Sequence, residues 1–185
     1  MATKMDVDII HYLNSRRFTV LWSGGKDSTA ALLWVLDNIQ HEDWDVLYVE
    51  VTGNTHPQCN QYVRDLAKEL GIHNKLLHRK NEDMEFFDCL SKWGIPSFGY
   101  RWCLYKFKVA VWEKYAKRIQ VLGIKRSDSR RRANTNSFYV FRKWEKETLA
   151  VMPIVSWSEK DVFDYIKQHG VPLNPCYGLF GHSGN

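Results

Sequence analysis

Apolar positions along this chain alternate between two spacings: short β-branched and aromatic runs, and longer stretches with a helical repeat. Arg17 to Trp22 (RFTVLW) is a strand-like run that stops at Ser23-Gly24-Gly25, and Ser28 to Ile39 after it has helical composition. Asp45 to Thr52 (DVLYVEVT) predicts a second strand, closed by Gly53-Asn54. Gln58 to Leu70 then places Tyr62, Leu66 and Leu70 on one helical face, with Gly71 at its end. A third unit joins a weak strand, Lys75 to His78, to a helix from Met84 to Trp93 that ends at Gly94. Pro96 opens a loop to Trp102, and a further helix covers Leu104 to Ala116.

Gln120 to Ile124 predicts a short strand that leads into the basic loop Lys125 to Arg132, and Phe138 to Trp144 with Leu149 to Val155 is a candidate hairpin. Ser158-Glu159-Lys160-Asp161 has the form of a capping box for a helix from Glu159 to Gln168, with Gly170 just past its end and Pro172 beyond. No internal repeat or low-complexity segment interrupts the alternation. Strand and helix in this order predict a three-layer, Rossmann-like α/β fold, a mostly parallel twisted sheet with helices on both faces. Such sheets take their ligands beyond the carboxyl ends of the strands.

Composition narrows the picture further. With 185 residues, 44% of them hydrophobic, the chain suits one compact domain spanning 1–185. No apolar run approaches the roughly 18 residues that cross a bilayer, and the N-terminus, with Asp6, Asp8 and His11, lacks the apolar stretch of a signal peptide, so a cytoplasmic protein with no membrane partner is expected. Cys59, Cys89, Cys103 and Cys176 form no CxxC pair, so free thiols are expected rather than a disulfide framework or a complete zinc site. The net charge of +5 suits a polyanion, nucleotide or nucleic acid, without choosing between them.

The candidate chemistry lies at the first turn. A loop joining a buried strand to a helix N-terminus aims unpaired backbone N–H groups and the positive end of the helix dipole at one small volume. In Ser23-Gly24-Gly25-Lys26-Asp27-Ser28 the glycines let the backbone approach an anion, Ser23 and Ser28 offer hydroxyl donors, and Lys26 adds a compact positive charge. A Walker P-loop needs four residues between its first Gly and the Gly-Lys-Ser/Thr, and that spacing is absent here. The segment is therefore expected to surround a phosphate or sulfate by another route. Five cations within eight residues, Lys125, Arg126, Arg130, Arg131 and Arg132, follow a strand directly; they predict a second anion site, with a solvated basic loop as the other reading. The strand before them, placed parallel to the first, would deliver Lys125, Arg130 and Arg132 to the same cleft.

The Ser-Gly-Gly-Lys-Asp-Ser loop after a strand resembles that of the ATP pyrophosphatase or adenine nucleotide α-hydrolase superfamily, whose members bind or cleave at the α-phosphate of an adenylate. Further segments are similar to its phosphoadenosine phosphosulfate (PAPS) reductase branch: Thr52-Gly53-Asn54 up to Pro57, Arg101-Trp102-Cys103 with Lys106 and Lys108, Gly123 to Arg132, Pro153 to Ser158, and Pro172 to Tyr177. Val51, Lys125 and Asp128 depart from the branch's pattern at single positions. The resemblance implies nucleotide contacts from Thr52, Gly53 and Asn54, and substrate contacts from Arg101, Trp102 and Lys106. It also implies an enzyme acting on an adenylated sulfate (PAPS or its precursor adenylylsulfate) or on ATP.

Several alternatives stay open within that resemblance. One is AMP-forming activation for sulfur insertion into a nucleic acid, and another is flavin adenylyl transfer; ATP with Mg²⁺ would then be the substrate. A third, of another class, is a non-catalytic nucleotide-binding subunit. Partners implied are the nucleotide itself, a thioredoxin-like reductant or sulfur-transfer protein, or a nucleic acid. The reductases' Glu-Cys-Gly tail is not seen, and the last residues, Gly181 to Asn185, stand next to where many members carry Gly-Cys-x-x-Cys-Pro. The resemblance thus implies a chain truncated at its C-terminus, in which Cys103 and Cys176 would be two ligands of an iron–sulfur cluster or zinc completed by cysteines beyond Asn185. His56 is a further candidate for a phosphate or base contact, or else a turn cap.

Overall fold

A computed structural model describes residues 4–143 and 146–185. Six strands form one sheet in the order β3-β2-β1-β4-β6-β5. They are β1 (Phe18–Leu21), β2 (Trp44–Glu50), β3 (Leu76–Lys80), β4 (Ile119–Leu122), β5 (Phe138–Lys143) and β6 (Lys146–Val151). All neighbours run parallel except β5 and β6, which pair antiparallel at one edge. The four residues of β1 are all buried, as a central strand covered on both faces requires.

The helices are α1 (Lys4–Leu13), α2 (Lys26–Asn38), α3 (Pro57–Glu69), α4 (Phe86–Trp93), α5 (Ala110–Tyr115), α6 (Glu159–Gln168) and α7 (Cys176–Phe180). In α2 every residue from Ser28 to Val35 is buried, so this helix lies in the centre of the main core. In α3, Cys59, Tyr62, Val63, Leu66 and Ala67 are buried at the three- and four-residue spacing of an amphipathic helix. The capping box foreseen at Ser158 is present: its hydroxyl accepts from the Asp161 N–H while the Asp161 carboxylate accepts from the Ser158 N–H. None of the described helices is long and apolar enough to cross a membrane.

Three departures from the sequence pattern have local causes. The expected helix from Leu104 to Ala116 begins as a π-helical stretch, Leu104–Val109, before α5; the wider turn carries Phe107 inward, fully buried, with its ring 6.3 Å from that of Trp102. The hairpin uses Lys146–Val151 as its second strand, with Phe138 opposite Val151, while residues 152–155 turn away so that the Val155 carbonyl accepts from the Arg126 N–H. The helix α1 was not foreseen, and Ile9 and Leu13, four residues apart and wholly buried, anchor it to the core.

Candidate functional site

The turn after β1 has the shape its glycines allow. Gly24 has φ +74°, and a Cβ added there would stand 3.0 Å from Val63 Cγ2 and 3.2 Å from Cys59 Sγ, so any other residue would be both strained and crowded. Gly25 is the N-cap of α2, in extended conformation (φ −85°, ψ 157°), and no side chain caps the helix. The Ser28 hydroxyl donates to the Gly25 carbonyl at 2.9 Å and lies 3.0 Å from that of Ser23.

The helix end is not open. Tyr177, on α7, places its hydroxyl oxygen where the Lys26 backbone N–H donates to it at 3.1 Å. Asn174, 2% exposed, donates to the carbonyls of Gly24 (3.1 Å) and Ser183 (2.9 Å). Asn185 donates to the carbonyls of Val49 (3.2 Å) and Ser23 (3.4 Å) and accepts from the Thr55 hydroxyl at 3.1 Å, while the His56 N–H donates to the Gly184 carbonyl at 2.8 Å. Gly24 and Gly25 are consequently buried beneath α7 and residues 183–185. Asn174, Tyr177 and Asn185 were not foreseen as site residues. Asn174 and Tyr177 fall inside the Pro172 to Tyr177 segment singled out above, which was the available signal.

Beside the turn, the cations are already matched by carboxylates. β4 does lie parallel to β1 and delivers Lys125 to the same sheet edge as the glycine turn. There its ammonium, 1% exposed, contacts Asp27, and it lies 2.9 Å from Asp128 and 3.8 Å from Glu159. Lys26 pairs with Asp27 at 3.0 Å and with Glu159 at 3.3 Å. Burial opposes the charge on Lys125, but its hydrogen bonds to Asp27 and Asp128 outweigh that and raise its pKa above the ordinary value. Burial likewise opposes the charge on Asp128, and the Lys125 bonds override it, holding its pKa below the ordinary 3.8.

The sign of each shift sets a pH window. Asp128 contributes stability that is complete above pH 3.8 and lost as pH falls through its lowered folded-state pKa; Lys125 contributes stability that is complete below pH 10.5 and lost as pH rises through its raised one. Lys125→Met is expected to flatten both limbs of a plot of melting temperature against pH, and unchanged limbs would show that the cluster carries no linked stability.

Of the five cations expected to form one anion site, two are already taken by the protein's own carboxylates. Lys125 is enclosed as described, and Arg132 donates to Asp128 at 2.7 Å. Arg126 donates through Nε to the Thr135 carbonyl at 2.8 Å. Arg130 and Arg131 are exposed, and the Arg131 guanidinium lies 4.4 Å from the centre of the Phe98 ring. Of the expected substrate contacts, Trp102 is 5% exposed and packed among Phe86, Trp93 and Phe107, donating through Nε1 to the Gly94 carbonyl at 3.0 Å. Arg101 is exposed, and Lys106 stands 5.7 Å from the centre of the Trp93 ring.

In the loop after β2, the Asn54 N–H donates to the Val51 carbonyl, the Thr52 hydroxyl is buried with no partner among the described residues, and Gly53 (φ +82°) backs so closely on Glu85 that an added Cβ would overlap it. His56 caps α3, its Nδ1 accepting from the Gln58 N–H at 3.3 Å. Cys103 and Cys176 belong to different apolar clusters, and no group of three or more His, Cys, Asp or Glu among the described residues is arranged to hold a metal. Burial and the neighbouring Cys59 raise the pKa of the Cys176 thiol, away from a reactive thiolate.

A central parallel strand feeding a glycine turn into the helix beneath it is the arrangement of an α/β domain of the adenine nucleotide α-hydrolase type. The solved PAPS reductase of Candida auris, a phosphate complex, superposes on the chain with a TM-score of 0.67, covering 94% of this chain and 84% of that one at 15% identity. Residues 17–179 match the phosphoadenosine phosphosulfate reductase domain, and the chain belongs to that family. It is 27% identical over 164 residues to an uncharacterized protein of Methanocaldococcus jannaschii (85% of this chain, 33% of that one). It is 24% identical over 151 residues to the phosphoadenosine 5′-phosphosulfate reductase of Proteus mirabilis (75% of this chain, 57% of that one). The chain thus spans between a third and three fifths of these two relatives.

Proposed function

We propose that the chain binds an adenine nucleotide with its phosphates against Ser23, Gly24, Gly25, Lys26 and Ser28, and that it acts as an enzyme at the α-phosphate of an adenylated sulfate or of ATP. One observation carries the reading. The N-terminus of α2 has no side-chain cap, and the Lys26 N–H is answered by a neutral phenol from the far end of the chain. A phosphate oxygen would make the same bond with charge assistance and would gain from the helix dipole and from the Lys26 ammonium. Family membership supports the same site, because the relatives with printed activities include PAPS reductases. Tyr177 and Ser183 stand 3.5 Å from where a Cβ on Gly25 would be, so a ligand bound there would have to displace them.

Calorimetric titration with ATP, adenylylsulfate and PAPS tests this. Saturable binding of at least one ligand is expected, and Tyr177→Phe, which removes the competing acceptor, should tighten it by roughly two- to tenfold for one neutral hydrogen bond. Absence of binding for all three ligands in both proteins would end the proposal. If Arg130 and Arg132 hold a terminal anion, changing both to Ala should weaken PAPS far more than AMP; equal losses would leave them a general electrostatic role.

A further inference from the structure

Two stretches remote in sequence carry no acidic residue at all. Residues 89–112 contain four cations and neither Asp nor Glu, and residues 129–144 contain five cations and again neither. They meet where Arg131 stacks on Phe98. In the first stretch large rings stand in solvent: Phe98 is 71% exposed, Tyr105 59% and Tyr100 52%. Beside them Trp93 has the ammonium groups of Lys106 and Lys92 at 5.7 and 5.8 Å from its ring centre. Asp128, the nearest carboxylate before the second stretch, is engaged by Lys125 and Arg132.

An ordinary solvated surface mixes charges of both signs, and the centre of a protein–protein interface is depleted of charge. Exposed rings interleaved with cations of one sign suit a polyanion that carries flat apolar groups along its length. Single-stranded nucleic acid has that chemistry, since bases stack on aromatic and guanidinium planes while ammonium and guanidinium groups follow the phosphates. A duplex does not, because its bases are already stacked and paired. We propose that the surface around Phe98, Tyr100 and Tyr105 binds single-stranded nucleic acid, with Arg101, Lys106 and Arg131 on its backbone. None of these residues belongs to the glycine turn, and the proposal does not depend on the nucleotide reading.

Fluorescence anisotropy of the full chain with labelled oligouridylate and oligothymidylate, competed by unlabelled duplex and by polyglutamate, tests the proposal. Single strands are expected to bind and to resist both competitors. Phe98→Ala and Tyr105→Ala should each weaken binding by about fivefold to a hundredfold, with an unchanged melting temperature because both rings are exposed. Arg131→Gln should reduce the salt slope by about 0.7, as loss of one phosphate contact would. Gly25→Val should bind the oligonucleotides normally, which separates failure of this surface from failure of the nucleotide site. No binding at low salt would overturn the assignment. Equal competition by polyglutamate with no effect of Phe98→Ala would also overturn it, and would give the face to an acidic protein instead.

Discussion

Gly123→Ala is expected to destabilise the protein by about 3 kcal/mol, the upper end of the usual cost of overpacking, and to abolish nucleotide binding with it. Gly123 follows β4, whose Val121 and Leu122 pair with Val20 and Leu21 of β1. A Cβ at this position would fall 2.4 Å from the Asp27 carbonyl oxygen and 2.5 Å from Ser28 N, both backbone atoms of the first turn of α2. No flexible side chain can give way, so either the strand or the helix start must move, and the glycine turn sits on that helix start. At roughly 2–4 °C per kcal/mol for a chain of this size, thermal denaturation should show a melting temperature lower by about 6–12 °C. A variant that melts with the wild type would show that the two elements are not packed as described.

Gly25→Val should have the opposite profile, an intact fold with nucleotide affinity reduced more than a hundredfold, equivalent to losing about two charge-assisted hydrogen bonds. Gly25 has a negative φ, and the atoms nearest its added Cβ would be Ser23 Oγ at 3.4 Å and Ser183 Oγ and the Tyr177 hydroxyl at 3.5 Å, ends of side chains that the γ-methyls of Val can push aside. That direction is also the one from which a phosphate would have to approach. Gly24→Ala supplies the contrast: its φ of +74° predicts a loss of about 1–2 kcal/mol in stability from the left-handed backbone alone, to which the 3.0 Å contact to Val63 adds. Denaturation curves together with nucleotide titrations separate the two positions. If Gly25→Val bound the nucleotide as wild type does, the phosphates could not sit on this turn.

Much of the framework was legible in the amino-acid sequence because its causes are local. The bounds of α6 could be read from Ser158 and Gly170, since a capping hydroxyl and a stop signal lie within a turn of the residues they govern. The strand, glycine turn and helix from Phe18 to Asn38 were legible for the same reason, and parallel pairing of β1 with β4 followed from the alternation of strand and helix. Tertiary structure alone decided what covers the turn and what neutralises its surroundings. Tyr177 answers an N–H 151 positions earlier, and Asn185 reaches Ser23 across 162, contacts that leave no periodic trace in sequence. A basic run also looks the same whether its partner is a ligand anion or the protein's own Asp27 and Asp128. Lys125 is enclosed because β4 ends beside the start of α2, a distance set by sheet order and not by any residue near it in the chain.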